Sequence, residues 1–336
     1  MAKRIGSRTI ELENRPTIIG YGSVVGKKEH DGPLGKEFDS FSSDCRFGEK
    51  SFEKAESHLQ GIAVDKALQR AGLKGADIDC IMAGDLLNQC IGSSFALREL
   101  GIPFVGLYGA CSTMALGLCM SSIMVDSGAA NRAIAVTSSH FCSAERQYRF
   151  PLEYGSQRTP TAQWTVTGSG AVVLERGKNA PYIHRIALGE IEDLGITDAN
   201  NMGAAMAPSA ASTLSKFWRD TSTKPEDYDI IFTGDLGYVG TQLLYELLEK
   251  EGFDIRCRHS DCGLMMFDRK NQDVHAGGSG CGCSASILTS FIMHRFEDGT
   301  FKNILFVSTG ALLSPTSTMQ GESIPGISHL VNIKQD

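Results

Sequence analysis

The apolar residues of this chain fall into short runs and longer helical patterns that alternate from the amino terminus onward. Residues 16–25 form an apolar run that predicts a first strand. Residues 26–47 are polar and rich in glycine, and they predict a surface loop with little regular structure. Residues 51–71 carry apolar side chains at helical spacing, and Gly72 is typical of a helix end. This order predicts an α/β chain.

A cysteine lies where a predicted strand turns into a predicted helix. Residues 102–107 form a short apolar run that predicts a core strand, followed by a tight turn at Cys111. Residues 112–125 continue as an apolar segment rich in small residues and predict a buried central helix. The first turn of a helix offers unpaired N–H groups and the positive end of the helix dipole, and both favour thiolate. Cys111 is therefore a nucleophile candidate, with a small core residue as the alternative.

Residues 101–125 carry no charged side chain over a length that could cross a bilayer. Hydroxyls, thiols, a proline and glycines interrupt the stretch, and a buried strand, turn and helix account for it without a membrane. Polar and charged residues follow the first residues of the chain, where a signal peptide would have an apolar segment. We therefore expect neither a signal peptide nor a transmembrane helix.

Three elements recur in the same order in the two halves of the chain. The matching pairs are residues 77–86 with 227–236, 109–125 with 277–293, and 132–140 with 303–310. This repeat predicts a duplicated α/β fold with two pseudo-symmetric halves, residues 1–180 and 181–336. Because ligands collect at the carboxyl ends of strands in α/β sheets, we expect the glycine-rich ends of both copies to converge on one site.

Charge and cysteine content narrow the classes of function. The net charge of −7 is spread over 336 residues without a basic stripe, so we do not expect a nucleic-acid partner. Ten cysteines without an export signal indicate reduced thiols. The spacings from Cys257 to Cys262 and from Cys281 to Cys283 lack the paired CxxC pattern of a structural zinc site. Scattered core thiols are the favoured interpretation, and we expect no metal site.

Two segments have weaker patterns. Residues 142–161 are charged and aromatic and predict an insertion over the site or at a subunit contact. Arg146 and Arg149 in this insertion are candidate carboxylate clamps, with a solvated or subunit-contact role as the favoured alternative. Residues 199–215 predict a loop followed by a helix.

Several long stretches of the sequence, here called phrases, resemble the sequences of known families. The cysteine turn, the Gly-Ser-Gly at 168–170 and the Ser-Thr-Gly-Ala at 308–311 resemble the thiolase superfamily, and the layout resembles β-ketoacyl-acyl-carrier-protein synthase III. Five phrases more closely resemble the family of stage V sporulation protein AD, namely residues 108–113, 144–149, 193–198, 276–281 and 309–315. The resemblance covers nearly the whole chain. It implies a thiolase-like αβαβα layered fold.

The resemblance also implies which residues would carry catalysis. Superfamily enzymes hold an acyl group on a cysteine, and two polar residues, His with His or Asn, move protons and stabilise the oxyanion. Cys111 matches the cysteine, but the other two positions fall at residues 233–237 and 278–283, which contain neither His nor Asn. Asp235 near Cys111 would oppose thiolate formation. His140 could replace the missing base, although a structural role is favoured.

We therefore expect a pocket that binds without catalysing condensation. The resemblance implies the ligand pyridine-2,6-dicarboxylate (dipicolinate), alone or as its calcium chelate, which is moved into the developing spore. A flat dianion requires hydrogen-bond donors and an apolar slot for its ring. The candidate binding residues are Cys111, Ser112, Met114, Ser139, His140, Phe232, Asp235, Gly278, Ser279, Cys281 and Gly310. Asp235 would either contact calcium carried by the ligand or lie just outside the pocket.

The resemblance implies partners as well. It implies a homodimer and membrane-spanning proteins of the same stage V sporulation A group at the inner membrane of the forespore or spore. The chain itself would be soluble or peripherally associated with that membrane, with no cofactor other than calcium brought by the ligand. Two alternatives remain at this point: a divergent acyltransferase that uses Cys111, and a scaffold with an occluded pocket.

Overall fold

The fold is seen in a computed structural model that describes residues 2–148, 158–177 and 181–336. Its strands are β1 (Lys3–Ile5), β2 (Thr9–Glu11), β3 (Pro16–Gly26), β4 (Ser40–Ser42), β5 (Cys80–Gly84), β6 (Phe104–Gly106), β7 (Arg132–Ser139), β8 (Trp164–Thr165), β9 (Gly168–Arg176), β10 (Tyr182–Ala187), β11 (Ile230–Thr233), β12 (His259–Asp261), β13 (Gly278–Ser279), β14 (Asn303–Ala311) and β15 (Gly326–Lys334). Its α-helices are α1 (Lys27–His30), α2 (Phe52–Ala71), α3 (Ile91–Leu97), α4 (Thr113–Ser127), α5 (Phe141–Tyr148), α6 (Met202–Thr221), α7 (Gly237–Lys250), α8 (Cys262–Met266), α9 (Cys281–Ile287), α10 (Met293–Glu297) and α11 (Pro315–Met319). A π-helical turn, Leu288–Ile292, joins α9 to α10.

The main sheet repeats one pattern of strand pairing in each half of the chain. Its order is β12-β11-β14-β15-β10-β3-β9-β7-β5-β6. From either outer edge inward, two parallel pairings are followed by two antiparallel pairings. The two copies meet where β10 pairs with β3. The duplicated α/β fold predicted from the sequence is therefore confirmed.

Helices cover both outer faces and fill the space between the copies. Helix α2 packs on β3 and β9 of the first copy, while α6 packs on β14 and β15 of the second. Helix α4 contacts strands of both copies, β7 and β15 among them, and α9 packs against α4. The largest core cluster lies here and includes Leu118, Leu288 and Ile292. The result is an αβαβα arrangement of layers.

Local sequence signals account for the outer helix of the first copy. Ser51 accepts a hydrogen bond from the Lys54 N–H and caps the start of α2. Gly72 ends the helix with φ 69°, a left-handed conformation that glycine adopts without a steric penalty. Apolar residues such as Leu59 and Ala63 are fully buried. The helix predicted over residues 51–71 is therefore confirmed to within one residue.

The prediction of a core strand at residues 102–107 is wrong about its burial. Strand β6 occupies three of these residues, and Phe104, Val105 and Gly106 are all exposed. The main sheet ends at β6, which pairs with β5. Hydrophobicity predicts a strand but does not distinguish an edge strand from a central one, because that depends on which strands lie beside it.

The polar segment at residues 26–47 has more regular structure than predicted. It forms α1, a short 3-10 turn at Gly35–Glu37 and β4. Strand β4 pairs in parallel with the end of β3, where Val24 lies opposite Ser40. Such short elements are stabilised by a tertiary pairing partner and carry no periodic signal of their own.

One helical stretch, Ala110–Ser127, is long and apolar enough to cross a membrane, but 72% of it is buried inside the protein. This burial agrees with the interpretation of α4 as a core helix. The boundary predicted between residues 180 and 181 stays a prediction. Arg149 and the residues after it up to 157 lie outside the described residues, so this part of the predicted insertion has no structural description.

Replacing the capping residue of α2, Ser51→Ala, should lower the free energy of unfolding by about 1 kcal/mol, because the Lys54 N–H loses its acceptor. Urea denaturation followed by circular dichroism measures the change. Gln69→Ala on the exposed side of the same helix is the control and should have little effect. Equal destabilisation by the two variants would contradict a specific capping role.

Candidate functional site

A tight turn fixes the position of Cys111 at the start of α4. Ala110 has φ 48°, a left-handed conformation that is strained for a residue with a Cβ atom. Hydrogen bonds hold the turn: the Ser112 hydroxyl donates to the Gly109 carbonyl at 2.6 Å, and the Thr113 hydroxyl donates to the Ala110 carbonyl at 2.6 Å. The turn is therefore locked by its own side chains, and Cys111 projects from a rigid backbone.

The second copy of the fold packs directly on this turn through Gly310 in β14. A Cβ atom at this position would lie 2.4 Å from the Gly109 carbonyl oxygen and 3.3 Å from the Cys111 nitrogen. Only glycine permits so close an approach of two backbones. Gly310 is thus required for the contact between the copies at the cysteine.

A buried carboxylate lies beside the thiol. One carboxylate oxygen of Asp235 accepts hydrogen bonds from the Ser279 hydroxyl at 3.1 Å and the Gly280 N–H at 2.8 Å. The other accepts one from the Thr309 hydroxyl at 2.8 Å. Burial nevertheless raises the pKa of Asp235 to about 6, while the neighbouring Cys111 thiol and these hydrogen bonds lower it. Asp235 is therefore mostly ionised at neutral pH.

A second aspartate holds the loop that carries Asp235. Asp261 accepts hydrogen bonds from the Leu236 and Gly237 N–H groups at 2.9 and 3.0 Å, and from the Thr233 hydroxyl at 2.7 Å. Burial raises the pKa of Asp261 to about 7. The loop after β11 is thus positioned by contacts from β12.

The surroundings of Cys111 disfavour its thiolate. Burial raises the pKa of the Cys111 thiol well above its usual value, and the negative charge of Asp235 raises it further. The Ser279 hydroxyl lies 3.9 Å from the sulfur atom. The effect of Asp235 has the direction expected from the sequence. The helix start that was expected to favour thiolate is outweighed by burial and this charge.

Cys111 opens into a cavity of about 340 Å³. The described residues that line it are Leu86, Ala110, Cys111, Ala144, Glu145, Tyr148, Gln163, Thr165, Ala199, Asn200, Met202, Ser279, Ala311 and Leu313. This volume is near the lower end of the range of about 300–1,000 Å³ that is usual for small-molecule sites. Its wall contains carboxylate, amide, hydroxyl and apolar groups, and none of the described lining residues is Lys, Arg or His.

Most of the polar lining residues were not among the candidate binding residues predicted from the sequence, and Gln163 and Tyr148 are two of them. The Gln163 side-chain amide donates to the Asp235 and Gly278 carbonyls at 2.6 and 2.8 Å, and its buried oxygen has no hydrogen-bond partner among the described residues. The Tyr148 hydroxyl donates to the Leu86 carbonyl at 2.7 Å. Tyr148 lies in one of the phrases that carry the family resemblance, so a signal existed. Gln163 has no motif around it.

The structure brings only some of the predicted binding residues to the cavity. Cys111 and Ser279 line it, Asp235 lies behind Ser279, and Gly278 and Gly310 contribute backbone near its wall. The others are not among the described lining residues. Ser112 bonds within the turn, Met114 and Phe232 pack in the main core cluster, and the Ser139 hydroxyl donates to the Val166 carbonyl. Cys281 packs behind the wall, in one buried cluster with Cys111, and its thiol donates to the Ser138 carbonyl. For these five, a contact with ligand stays a prediction.

His140 lies at a different cavity, of about 550 Å³, whose wall also includes Cys45 and Trp164. One ring nitrogen donates to the Cys45 carbonyl at 2.7 Å, and the other accepts from the Cys142 N–H at 3.1 Å. Burial lowers the pKa of His140. These bonds correspond to the structural role favoured from the sequence. Arg146 forms an ion pair with Glu53 at 3.0 Å on the surface.

The position equivalent to Asp235 in the first copy is Asp85, which is also buried. Asp85 accepts hydrogen bonds from the Leu87 N–H at 2.9 Å and the Ser93 N–H at 2.7 Å. Burial raises the pKa of the neighbouring Glu56 to about 8, and the charge of Asp85 adds to this effect. Each strand end of the repeat therefore carries a buried carboxyl group. Among the residues the structure describes, no cluster of three His, Cys, Asp or Glu side chains could hold a metal ion.

The duplicated layers and the cysteine at the start of the central helix define a thiolase-like protein. The fold matches 3-oxoacyl-[acyl-carrier-protein] synthase III of Aquifex aeolicus VF5 with a TM-score of 0.57 and 15% identity, over 95% of this chain and 99% of that one. It matches a variant of OleA from Xanthomonas campestris with a TM-score of 0.61 and 14% identity, over 99% and 100%. At these identities the likeness concerns the fold alone.

The sequence comparison is more specific. The family Stage V sporulation protein AD (SpoVAD) matches residues 6–334. Stage V sporulation protein AD of Bacillus subtilis (strain 168) is 44% identical over 327 residues, which cover 97% of this chain and 96% of the relative. The chain therefore belongs to the stage V sporulation protein AD family, and it is a sporulation protein with a thiolase-like fold.

The influence of Asp235 on the thiol can be measured. Asp235→Asn should speed the alkylation of Cys111 by iodoacetamide, because removing the negative charge lowers the pKa of the thiol. Each decrease of one unit in the pKa of the Cys111 thiol should raise its thiolate fraction about tenfold at neutral pH. Mass spectrometry of the peptide that contains Cys111 gives the rate. Asp193→Asn, at an exposed carboxylate, is the control, and an unchanged rate for Asp235→Asn would contradict the electrostatic explanation.

Proposed function

We propose that the chain binds dipicolinate in the Cys111 cavity, with calcium as the counter-ion, and that it does not catalyse condensation. The observation that carries this proposal is the pairing of Cys111 with Asp235, a carboxylate where an acyl-transfer site requires a base or an oxyanion donor. A buried neutral thiol beside an anion is a poor nucleophile. The family to which the chain belongs is a family of sporulation proteins, which supports a role other than fatty-acid synthesis.

The cavity has features that suit a small flat ring with polar substituents. Leu86, Met202 and Leu313 supply apolar surface that could contact the faces of a ring. Thr165 and Asn200 supply a hydroxyl and an amide that could donate to carboxylate oxygens. These groups support binding of an aromatic carboxylate in a cavity of about 340 Å³.

The charge of the wall favours the calcium chelate over the free dianion. Asp235 lies behind Ser279, and the described lining residues include no cation. The Asp235 carboxylate would repel a dianion in this low-dielectric setting. Calcium neutralises the ligand and is itself attracted by oxygen groups such as this carboxylate. Calcium would enter as part of the ligand rather than as a resident metal.

A divergent acyltransferase is the alternative, because Cys111 occupies the start of a buried helix and opens into a cavity. His140, the substitute base considered from the sequence, forms both of its ring hydrogen bonds at another cavity. A stable acyl adduct on Cys111 after incubation with acyl thioesters would support the acyltransferase and contradict a purely binding role.

We further propose that the chain acts in the forespore or spore as a soluble or peripheral component of the machinery that takes up dipicolinate. Membrane-embedded proteins of the same stage V sporulation A group would then form the channel. Membership of a family of sporulation proteins supports a role in sporulation. Binding of dipicolinate in the Cys111 cavity would connect the chain to the uptake of that molecule.

Calorimetric titration with dipicolinate tests the function. We expect saturable binding that survives Cys111→Ala, because no covalent bond is needed. Calcium should strengthen binding by about tenfold, equivalent to about 1.4 kcal/mol. Without calcium, binding should strengthen as the pH falls through about 6, because Asp235 then becomes protonated and neutral.

Asp235→Asn should reduce both the calcium effect and the pH effect, while Asp193→Asn should leave them unchanged. Benzoate and pyridine-3,5-dicarboxylate are matched ligands that cannot chelate calcium in the same way. The absence of heat and of protection from thermal unfolding would exclude dipicolinate binding.

We also propose that the chain forms a homodimer through the edge of the main sheet. Strand β6 ends the sheet, and Phe104 and Val105 are each 41% exposed. Ile91 and Phe95 of the neighbouring helix α3 are exposed beside it. An uncovered apolar edge strand is a template for pairing with a second copy.

Val105→Lys should convert a dimer into a monomer, because the lysine would place a charge in the apolar interface. Size-exclusion chromatography with light scattering gives the mass. Leu194→Lys, at an exposed apolar residue in the other half, should leave the dimer intact. A wild-type chain that is monomeric at high concentration would exclude this proposal.

A further inference from the structure

Two segments of the second half expose large apolar side chains to an unusual degree. Ile191 is 62% exposed, Leu194 is 66% exposed and Met319 is 81% exposed. These are the three most exposed large apolar side chains among the described residues. They lie in residues 188–201 and 311–325, which are mostly irregular segments. Exposed apolar groups concentrated in this way indicate an interaction surface.

Hydrogen bonds join the two segments side by side. Glu192 and Gly326 exchange backbone hydrogen bonds at 2.9 and 2.7 Å. The Ile324 N–H donates to the Ile196 carbonyl at 2.7 Å, and the Ser323 hydroxyl donates to Asp193 at 2.5 Å. Asp193, the neighbour of Leu194, is therefore bonded directly to residues 311–325, which also carry Met319.

The charged residues of these two segments are all acidic. Residues 188–201 contain Glu190, Glu192, Asp193 and Asp198, residues 311–325 contain Glu322, and neither segment contains Lys or Arg. Glu190 pairs with Arg8 and with Lys216 of α6, and Glu192 also faces Lys216. No described cation forms an ion pair with Asp193, Asp198 or Glu322. Three negative charges thus remain beside the exposed apolar groups.

We propose that this surface, formed by Ile191, Asp193, Leu194, Asp198, Met319 and Glu322, is a docking site for a cationic, amphipathic segment of a partner protein. The apolar side chains would contact the apolar face of that segment, and the three carboxylates would pair with its Lys or Arg side chains. Charge complementarity selects this occupant. An anionic membrane would be repelled by the same carboxylates. A second copy docked symmetrically would bring acidic groups against acidic groups.

The docking site adjoins the Cys111 cavity but does not depend on which ligand the cavity holds. Residues 188–201 also supply Ala199 and Asn200 to the cavity wall, and residues 311–325 supply Ala311 and Leu313. A segment bound to the surface would therefore contact the elements that form one side of the cavity.

The test uses the full chain and a defined probe. The probe is a fluorescently labelled amphipathic helix of about 18 residues, with leucine on one face and lysine on the other. We expect saturable binding by fluorescence anisotropy that weakens as salt increases. The double variant Leu194→Ser with Met319→Ser should weaken it about tenfold or more. Glu322→Lys should also weaken it, because it reverses one of the charges.

The controls distinguish binding at this surface from nonspecific attraction of the cationic probe to an acidic protein. Glu226→Lys changes the net charge by the same amount at a remote exposed site and should leave the affinity unchanged. A probe with glutamate in place of lysine should not bind. Equal loss for Glu226→Lys and Glu322→Lys, or no binding of the lysine probe, would overturn the proposal. So would binding to phosphatidylglycerol vesicles that the Leu194→Ser, Met319→Ser variant abolishes, since that result would assign the surface to a membrane.

Discussion

The Cys111 thiol and the Asp235 carboxylate meet at the common centre of the two copies of the fold, where the Ser279 hydroxyl lies between them. The thiol comes from the first copy, whereas Asp235 and the groups that hold it, Ser279, Gly280 and Thr309, come from the second. Two groups that would both prefer water if charged are buried together. The carboxylate is kept in place by donated hydrogen bonds, and the thiol remains neutral. This arrangement fixes the chemistry that the cavity can perform.

Close packing between the copies is what brings these groups together. Helix α4 contacts strands of both copies, and Gly310 lets β14 approach the cysteine turn more closely than any side chain would permit. Asp261 then holds the loop after β11 through its N–H groups. The site is thus built on rigid elements, which would suit the proposed binding of a small, flat molecule without rearrangement.

The chemistry that a thiolase-like scaffold supports depends on a few side chains. A thiolase-like fold provides a cavity at the start of a central helix, and the polar groups around the cysteine decide whether a thiolate forms there. In this chain the second half contributes an aspartate, and the wall contains a glutamate, an amide and hydroxyls. The two proposals share one physical basis, because the negative charge behind the cavity wall and on the outer surface would attract cationic or cation-bearing partners.

The sequence by itself determined the repeat, the helix between Ser51 and Gly72, the buried helix after Cys111 and the family. These features rest on local periodicity, capping residues and long phrases, which are all readable along the chain. Only the tertiary structure decided that β6 lies at an edge, that Met114 and Phe232 lie in the core, that His140 faces another cavity, and that Gln163 and Tyr148 line the site. The physical reason is that burial and contact depend on which elements pack side by side, and residues far apart in sequence carry no local signal of that packing.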